Sequence, residues 1–158
     1  MALRSSVNLL AICLLYQLRT SNCFSWDDCS AAHEPVTFKE ISIGQDPVKL
    51  PGTLQYQVSM HLSSPLSSMT AEVTLYKKFL FWWRIPCFDS SICQFDVCEL
   101  STSMCPFNSG LISSSGEMKL LRPSMSRILL NGYYSATIIL KSFETKVGCA
   151  NIYFNIRA

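Results

Sequence analysis

The chain has 158 residues, of which 49% are hydrophobic and 15% are charged, and its formal net charge is +2. A chain of this length suits one domain. The small charge excludes the strongly cationic surface that is typical of nucleic-acid binding. We therefore expect no nucleic-acid partner.

The first 23 residues have the three parts of a secretory signal. A basic start at Arg4 precedes an apolar run over 7–18, and small residues follow as far as Cys23. The apolar run is shorter than the roughly 20 residues that a membrane-spanning helix needs, which makes an uncleaved anchor the weaker alternative. We expect cleavage after Cys23, which leaves residues 24–158 as a single secreted domain. Loss of Arg4 and Arg19 lowers its formal charge to zero.

The cysteines beyond this segment are Cys29, Cys87, Cys93, Cys98, Cys105 and Cys149. An even number in a secreted chain predicts a disulfide framework, whereas zinc sites favour paired Cys-x2-Cys spacings that this chain lacks. Many pairings are possible. Cys29 and Cys149 stand alone near the two ends, so a bond between them would join the first and last strands. The other four cysteines would then pair locally, and no metal is expected.

Alternation of apolar and polar residues with a period of two predicts several strands. The patterns lie at 36–43, 54–62, 70–78, 133–140 and 150–156. Turn residues at 50–52, 63–68 and 131–132 separate them. The Ser-rich stretch 109–116 is expected to be a loop, and no run has helical spacing with capping residues. We predict one all-β domain of about seven or eight antiparallel strands in a sandwich or cup.

The stretch Phe79-Leu80-Phe81-Trp82-Trp83 carries five large apolar side chains in a row. They cannot all face one core, because a strand sends successive side chains to opposite faces. Such a cluster, where exposed, indicates a partner surface, a membrane contact or the mouth of a ligand site. A strand buried on both faces is the alternative. Lys77, Lys78 and Arg84 flank the stretch and could meet lipid phosphates.

Catalysis has little support in the sequence. No nucleophile elbow, metalloprotease helix or phosphate-binding glycine loop occurs. His61 falls among the polar residues of a predicted strand, where a solvated side chain is expected. Asp27 and Asp28 diverge if they lie on a strand. We predict a binding protein with no catalytic residues and no cofactor.

Several short motifs occur in a recognisable order with the cysteines. They are 24–29 (Phe-Ser-Trp-Asp-Asp-Cys), 46–47 (Asp-Pro), 50–52 (Leu-Pro-Gly), 62–66 (Leu-Ser-Ser-Pro-Leu), 83–87 (Trp-Arg-Ile-Pro-Cys), 105–107 (Cys-Pro-Phe) and 147–149 (Val-Gly-Cys). With these motifs the chain resembles the lipid-recognition (ML) domain family, whose members include lysosomal sterol-transfer proteins and mite allergens. The resemblance spans essentially all of residues 24–158.

The resemblance implies an eight-stranded antiparallel cup around a central apolar cavity. It also implies three disulfides, Cys29–Cys149, Cys87–Cys93 and Cys98–Cys105. Residues 79–83 would form a rim loop that touches membranes, and Ile128, Leu129 and Leu130 a second apolar rim segment. The residues expected to line the cavity are the apolar ones of the alternating strands: Leu54, Tyr56, Val58, Met60, Leu62, Val73, Leu75, Ile138, Leu140, Ile152 and Phe154.

By the same resemblance, the chain would be a secreted or lysosomal protein that contacts a membrane surface peripherally. It would lift a glycosphingolipid such as a ganglioside and present it to a soluble β-hexosaminidase as a non-catalytic activator. One departure weakens the hexosaminidase partner, because only six residues separate Cys98 from Cys105 where the family has a long excursion. The alternatives are a secreted sterol or phospholipid carrier with no enzyme partner, and a non-lipid β-sandwich recognition module.

Overall fold

The computed structural model describes residues 24–87, 93–124 and 126–158, so the expected signal segment lies outside it. These residues form ten strands in two sheets. The strands are β1 (Ser25–Asp28), β2 (Val36–Ile43), β3 (Val48–Lys49), β4 (Gly52–Leu62), β5 (Thr70–Lys78), β6 (Trp82–Ile85), β7 (Gln94–Asp96), β8 (Gly110–Leu120), β9 (Gly132–Ser142) and β10 (Thr145–Arg157). The predicted all-β class is confirmed, and the extra strands are the short β3, β6 and β7.

The larger sheet has the order β1-β10-β9-β5-β6, with β3 also paired to β10 and β7 also paired to β5. The smaller sheet has the order β2-β4-β8. All pairs are antiparallel except β3 with β10. The described part of the chain also contains short helical turns at α1 (Val97–Leu100), a 3-10 turn (Thr102–Met104) and α2 (Arg127–Leu130). Within the described ranges, none of these is long enough to cross a bilayer.

The Ser-rich stretch is a strand, so the predicted loop at 109–116 is wrong. β8 pairs with β4 along its full length, from Gly110 opposite Leu62 to Leu120 opposite Gly52. Ile112 and Leu120 lie on the inner face of β8, but the serines between them interrupt the alternation of apolar and polar residues that would predict a strand. The strand can carry these hydroxyls because they find partners: the Ser113 hydroxyl lies 2.9 Å from that of Ser59, and the Ser114 hydroxyl contacts that of Ser101.

One end of the two-sheet structure, called here the closed end, is solidly packed. Its buried side chains come from both sheets and from the loops after β4 and β7: Val36, Phe38, Ile41, Met60, Leu62, Met69, Ala71, Val97, Met104, Phe107, Leu140, Val147 and Ala150. The sheets approach closely at Gly148, where a Cβ would lie 2.9 Å from Cβ of Val36. Side chains of the two sheets therefore pack directly on each other at this end.

The short segment between Cys98 and Cys105 belongs to the closed end. Asp96 caps α1 by accepting a hydrogen bond from Cys98 N at 2.7 Å. Met104 and Phe107 are buried in the core, and Leu66 N donates to Phe107 O at 2.9 Å. The segment therefore folds into the core instead of building an additional wall.

The disulfides join the pairs that the resemblance implies, Cys29 with Cys149, Cys87 with Cys93, and Cys98 with Cys105. The first of them ties β10 to the residue that follows β1. Asp28 reinforces this corner because its carboxylate accepts hydrogen bonds from Ser30 N at 2.7 Å and from Phe38 N at 2.8 Å. Asp28 is thus a structural residue, as the absence of catalytic motifs suggests.

The turn between β9 and β10 places Phe143 and Glu144 at φ values of 46° and 64°. A left-handed conformation costs about 1–2 kcal/mol for a residue with a Cβ, and hairpin turns of this type favour Asn-Gly. We expect F143N/E144G to raise the urea midpoint at unchanged m value, by about 1 kcal/mol in unfolding free energy. F143S/E144S removes the same side chains without favouring positive φ, so an equal gain in that control would contradict the explanation.

Candidate functional site

The aromatic stretch forms a hairpin between β5 and β6, called here the rim hairpin (residues 79–83). Phe79 N donates to Phe81 O at 3.1 Å across its turn, and Leu80 at the tip is 95% exposed. The rings of Phe81 and Trp83 stack at 5.0 Å. A hollow of about 340 Å³ opens between Phe79, Leu80, Phe81 and Trp83. The alternative of a strand buried on both faces is excluded, because all five side chains are exposed.

The two tryptophans of the rim hairpin face opposite ways. Trp83 lies opposite Lys77 and so shares the inner face of the larger sheet, whereas Trp82 lies opposite Lys78 on the outer face. Trp82 packs there against Tyr133 and Tyr153, with ring centroids at 5.7 and 6.5 Å. The sequence prediction treated them as one surface, and the strand alternation divides them between two.

The second rim segment is α2, which lies at the end of the structure opposite the closed end. Ile128 is 85% exposed and Leu129 is half-exposed, whereas Leu130 is only 6% exposed. The prediction that Leu130 contacts a membrane is therefore wrong, because its side chain points into the protein. The Tyr134 hydroxyl donates to Leu130 O at 2.7 Å and fixes this turn over β9.

The inner faces of the two sheets change in burial from one end to the other. At the closed end, Met60, Leu62 and Leu140, three of the expected cavity residues, are packed in the core. The other expected cavity residues face the same interior but keep partial solvent exposure: Leu54, Tyr56, Val58, Val73, Leu75, Ile138, Ile152 and Phe154. This half-exposed end is called here the mouth. Among these residues, Val58, Ile138 and Ile152 also pack against the core, and the cavity assignment stays a prediction.

A second hollow, of about 410 Å³, lies along the smaller sheet. Residues of both faces line it: Ser42, Ile43, Gly44, Gln55, Tyr56, Gln57, Ser115, Gly116 and Glu117. Tyr56 is the one expected cavity residue among them. Its hydroxyl lies 2.7 Å from where a Cβ on Gly116 would be, so glycine at this position makes room for the ring.

The structure adds residues that the sequence reading missed. Leu121 follows β8 at the mouth and is 84% exposed, which extends the apolar rim beyond the predicted segments. Trp26 pairs with Ile152 on the inner face of β1 and β10. The apolar pair at 120–121, just before Arg122-Pro123, was a sequence signal for Leu121. The alternation of 24–28 was too short to show that Trp26 faces inward.

The cations beside the rim hairpin differ in their environments. Lys78 is exposed on the outer face, with its Nζ 5.8 Å from the centre of the Trp82 ring. Arg84 is also exposed, and contact of these two outer cations with the phosphates of a membrane surface stays a prediction. Lys77 cannot make this contact from the protein surface, because its side chain is buried on the inner face.

Burial raises the pKa of Tyr134 to about 12. An unfolded chain loses this proton near pH 10 while the folded chain keeps it, so the stabilising contribution is complete below pH 10 and falls as the pH rises toward 12. We expect Y134F to lose about 1 kcal/mol at pH 8, from the missing hydrogen bond to Leu130 O, and to depend less on pH between 10 and 12. Urea unfolding at pH 8, 10 and 11 measures both. If the unfolding free energy of Y134F fell with pH as steeply as that of the unaltered protein, the raised pKa could not be assigned to Tyr134.

Comparisons with known proteins support the predicted resemblance. No family model matches the chain. It is 26% identical to the ganglioside GM2 activator of Mus musculus over 82% of this chain and 79% of that protein. It is 27% identical to the ganglioside GM2 activator of Macaca fascicularis over 91% of this chain and 92% of that protein. Both relatives are named as activators, which agrees with the predicted non-catalytic role.

The fold has a counterpart among solved structures. A Niemann-Pick type C2 protein from Japanese carpenter ant superposes with a TM-score of 0.56 at 14% identity, covering 84% of this chain and 99% of that chain. This likeness extends to the fold alone, since the identity is low. The sequence likeness to the ganglioside activators, together with the fold shared with the ant protein, confirms the resemblance to the lipid-recognition family.

Proposed function

We propose that this chain binds a lipid tail-first between its two sheets and transfers it between a membrane and an acceptor. One observation carries the proposal: most apolar inner-face residues away from the closed end, such as Leu54, Leu75 and Phe154, keep partial solvent exposure, although Ala136 beside them is buried. A protein with a filled core would bury these side chains at both ends. Burial of a lipid tail would remove them from water and stabilise the complex by about 0.8 kcal/mol for each methylene that leaves water.

The rim hairpin supports a membrane contact at the mouth. Leu80, Phe81 and Trp83 are exposed at one tip, and aromatic rings favour the boundary between lipid headgroups and chains. A lipid in a bilayer is already dry, so the barrier to its transfer lies in the wet path between membrane and protein. A mouth that dips into the headgroup region shortens that path.

The lipid class in the proposal is a glycosphingolipid, and the acceptor is a soluble β-hexosaminidase. The likeness to the ganglioside GM2 activators supports the lipid class, and the acceptor follows from the family resemblance of the sequence motifs. The competing candidate is a lipid carrier with no enzyme partner. The short segment from Cys98 to Cys105 favours the carrier, because it has only six residues where the family resemblance implies a long excursion. The proposal includes secretion or delivery to lysosomes, which imaging of the tagged full-length chain in cells tests.

Lipid uptake tests the central proposal. Residues 24–158 are incubated with vesicles that contain ganglioside and phosphatidylcholine, separated by gel filtration, and examined by native mass spectrometry. One retained lipid per chain is expected. A protein that emerges free of lipid would contradict the proposal and would favour the filled-core recognition module.

Addition of the purified protein to hexosaminidase and vesicle-bound ganglioside tests the enzyme partner separately. The activator proposal expects a faster release of the terminal sugar. Lipid uptake without any change in that rate would identify the chain as a carrier alone.

A further inference from the structure

Lys77 is a buried cation at the mouth. Its side chain is 3% exposed, and its Nζ lies 4.8 Å from the centre of the Phe79 ring and 5.4 Å from that of Tyr134. It donates one hydrogen bond, to Leu129 O in α2. Burial lowers the pKa of this ammonium group. An ammonium group carries three N–H donors, so the carbonyl uses only part of its capacity.

No carboxylate balances this charge within residues 24–87, 93–124 and 126–158. The ion pairs in these ranges join Lys141 to Glu72 at 2.6 Å and Lys146 to Glu34 at 3.1 Å. A buried charge is costly unless it is paired and hydrogen-bonded. Lys77 has two aromatic rings and one carbonyl, which offer partial compensation, and an anionic oxygen would complete it.

The position of Lys77 on the sheet indicates what could supply that oxygen. Lys77, Tyr134 and Phe154 form one row across the inner face. The next row toward the closed end is Leu75, Ala136 and Ile152, about 7 Å further in, since two residues separate the rows on each strand. A lipid whose tails extend from the mouth toward the closed end, past this apolar row, would have its polar head at the level of Lys77.

The residues around Lys77 leave a route for a headgroup. Its hydrogen-bond partner Leu129 lies in the exposed turn α2, next to Ile128. Phe79, over which its Nζ lies, is also a wall of the hollow in the rim hairpin. The cation is thus covered by the turn α2, by Phe79 at the rim and by the buried ring of Tyr134, and a headgroup would reach it by displacing the first two.

We propose that Lys77 binds the acidic group of a lipid headgroup, a phosphate or a carboxylate, and so makes the mouth selective for anionic over neutral lipids. This inference rests on the proposed lipid-binding function and adds to it the charge of the headgroup and the residue that binds it. Lys78 is the matched control that the chain offers, because it is the neighbouring residue on the opposite face of the same strand and is exposed.

Competition among lipids in one vesicle population tests the inference. The vesicles contain equal amounts of phosphatidylglycerol, a monosialylated ganglioside and neutral galactosylceramide, and native mass spectrometry counts each lipid retained by the protein. We expect the unaltered protein to retain one acidic lipid about tenfold more often than the neutral one, as a charge-assisted hydrogen bond in a dry site allows. Enrichment of phosphatidylglycerol would identify the phosphate as the bound group, and enrichment of the ganglioside would identify the carboxylate.

Three variants decide the role of Lys77. K77M removes the charge, keeps most of the length of the unbranched side chain, and should lower the enrichment to about one while total lipid uptake is kept. K77R should preserve the enrichment. K78M should leave it unchanged. The inference is overturned if K77M retains the enrichment or if K78M loses it equally. It is also overturned if K77M lowers total lipid uptake without changing the ratio of the lipids, because that result would mean that Lys77 only supports α2 structurally. Failure of the unaltered protein to retain any of the three lipids would overturn the proposed function itself.

Discussion

Replacement of Leu80, Phe81 and Trp83 by serine is expected to lower the affinity for anionic vesicles by about 100-fold or more. Full removal of one such side chain from water is worth about 1.5–3 kcal/mol, and a factor of 100 requires about 2.7 kcal/mol. The three side chains together exceed that value even if each is only partly immersed. The fold should persist, since all three are exposed at the tip of the rim hairpin. Vesicle sedimentation across a range of lipid concentrations measures the affinity.

The chain contains a matched control for this experiment. Leu111 is exposed at the closed-end part of β8, and Phe143 is exposed in the turn between β9 and β10. The variant L111S/F143S removes apolar surface of the same kind from the end opposite the mouth. It should bind vesicles as well as the unaltered protein. Equal losses in the two variants would show that general hydrophobicity, and not the mouth, sets membrane binding.

The sequence was informative where a pattern repeats over enough residues. The alternation at 54–62 and 70–78 identified β4 and β5 and assigned their apolar residues to one face. Each additional residue in such a pattern strengthens the assignment of the face. Two to four residues, as in β3, β6 and β7, contain too few repeats, so the number of strands was underestimated.

The errors have different physical causes. Serine is compatible with both faces of a sheet when its hydroxyl has a partner, so the stretch around Ser113 and Ser114 resembled a loop. Leu130 was assigned to the rim because a run of three apolar residues does not show which of them points inward. The turn at Phe143-Glu144 lacks the Asn-Gly signal that such turns normally carry.

The site was harder to predict than the fold, because it depends on contacts between distant segments. The burial of Lys77 requires Phe79, Tyr134 and the Leu129 carbonyl to converge. From the sequence, Lys77 and Lys78 appear equivalent. Strand alternation places them on opposite faces, and the converging contacts bury only Lys77, which is why one lysine is a candidate for a headgroup and its neighbour is not.

Removal of the Cys29–Cys149 disulfide is expected to cost much more stability than removal of a local one. The chain-entropy model relates the loss to the length of the closed loop. The two cysteines are 120 residues apart, whereas Cys98 and Cys105 are 7 apart. The expected losses are about 5 kcal/mol for C29A/C149A and about 2.5 kcal/mol for C98A/C105A. The first value is comparable to the whole stability of many domains, which is about 5–15 kcal/mol.

The folded structure explains why the effect should arise in the unfolded chain. The corner keeps other bonds without the disulfide: Cys29 N donates to Cys149 O at 3.0 Å, and Cys149 N donates to the Ser30 hydroxyl oxygen at 2.9 Å. The native geometry is therefore held independently, while the unfolded chain loses its longest constraint and expands. Urea unfolding should then show a larger m value for C29A/C149A than for C98A/C105A, because a more expanded unfolded state exposes more surface. Equal losses of stability at equal m values would mean that local packing around the cysteines, and not the length of the loop, determines what each disulfide contributes.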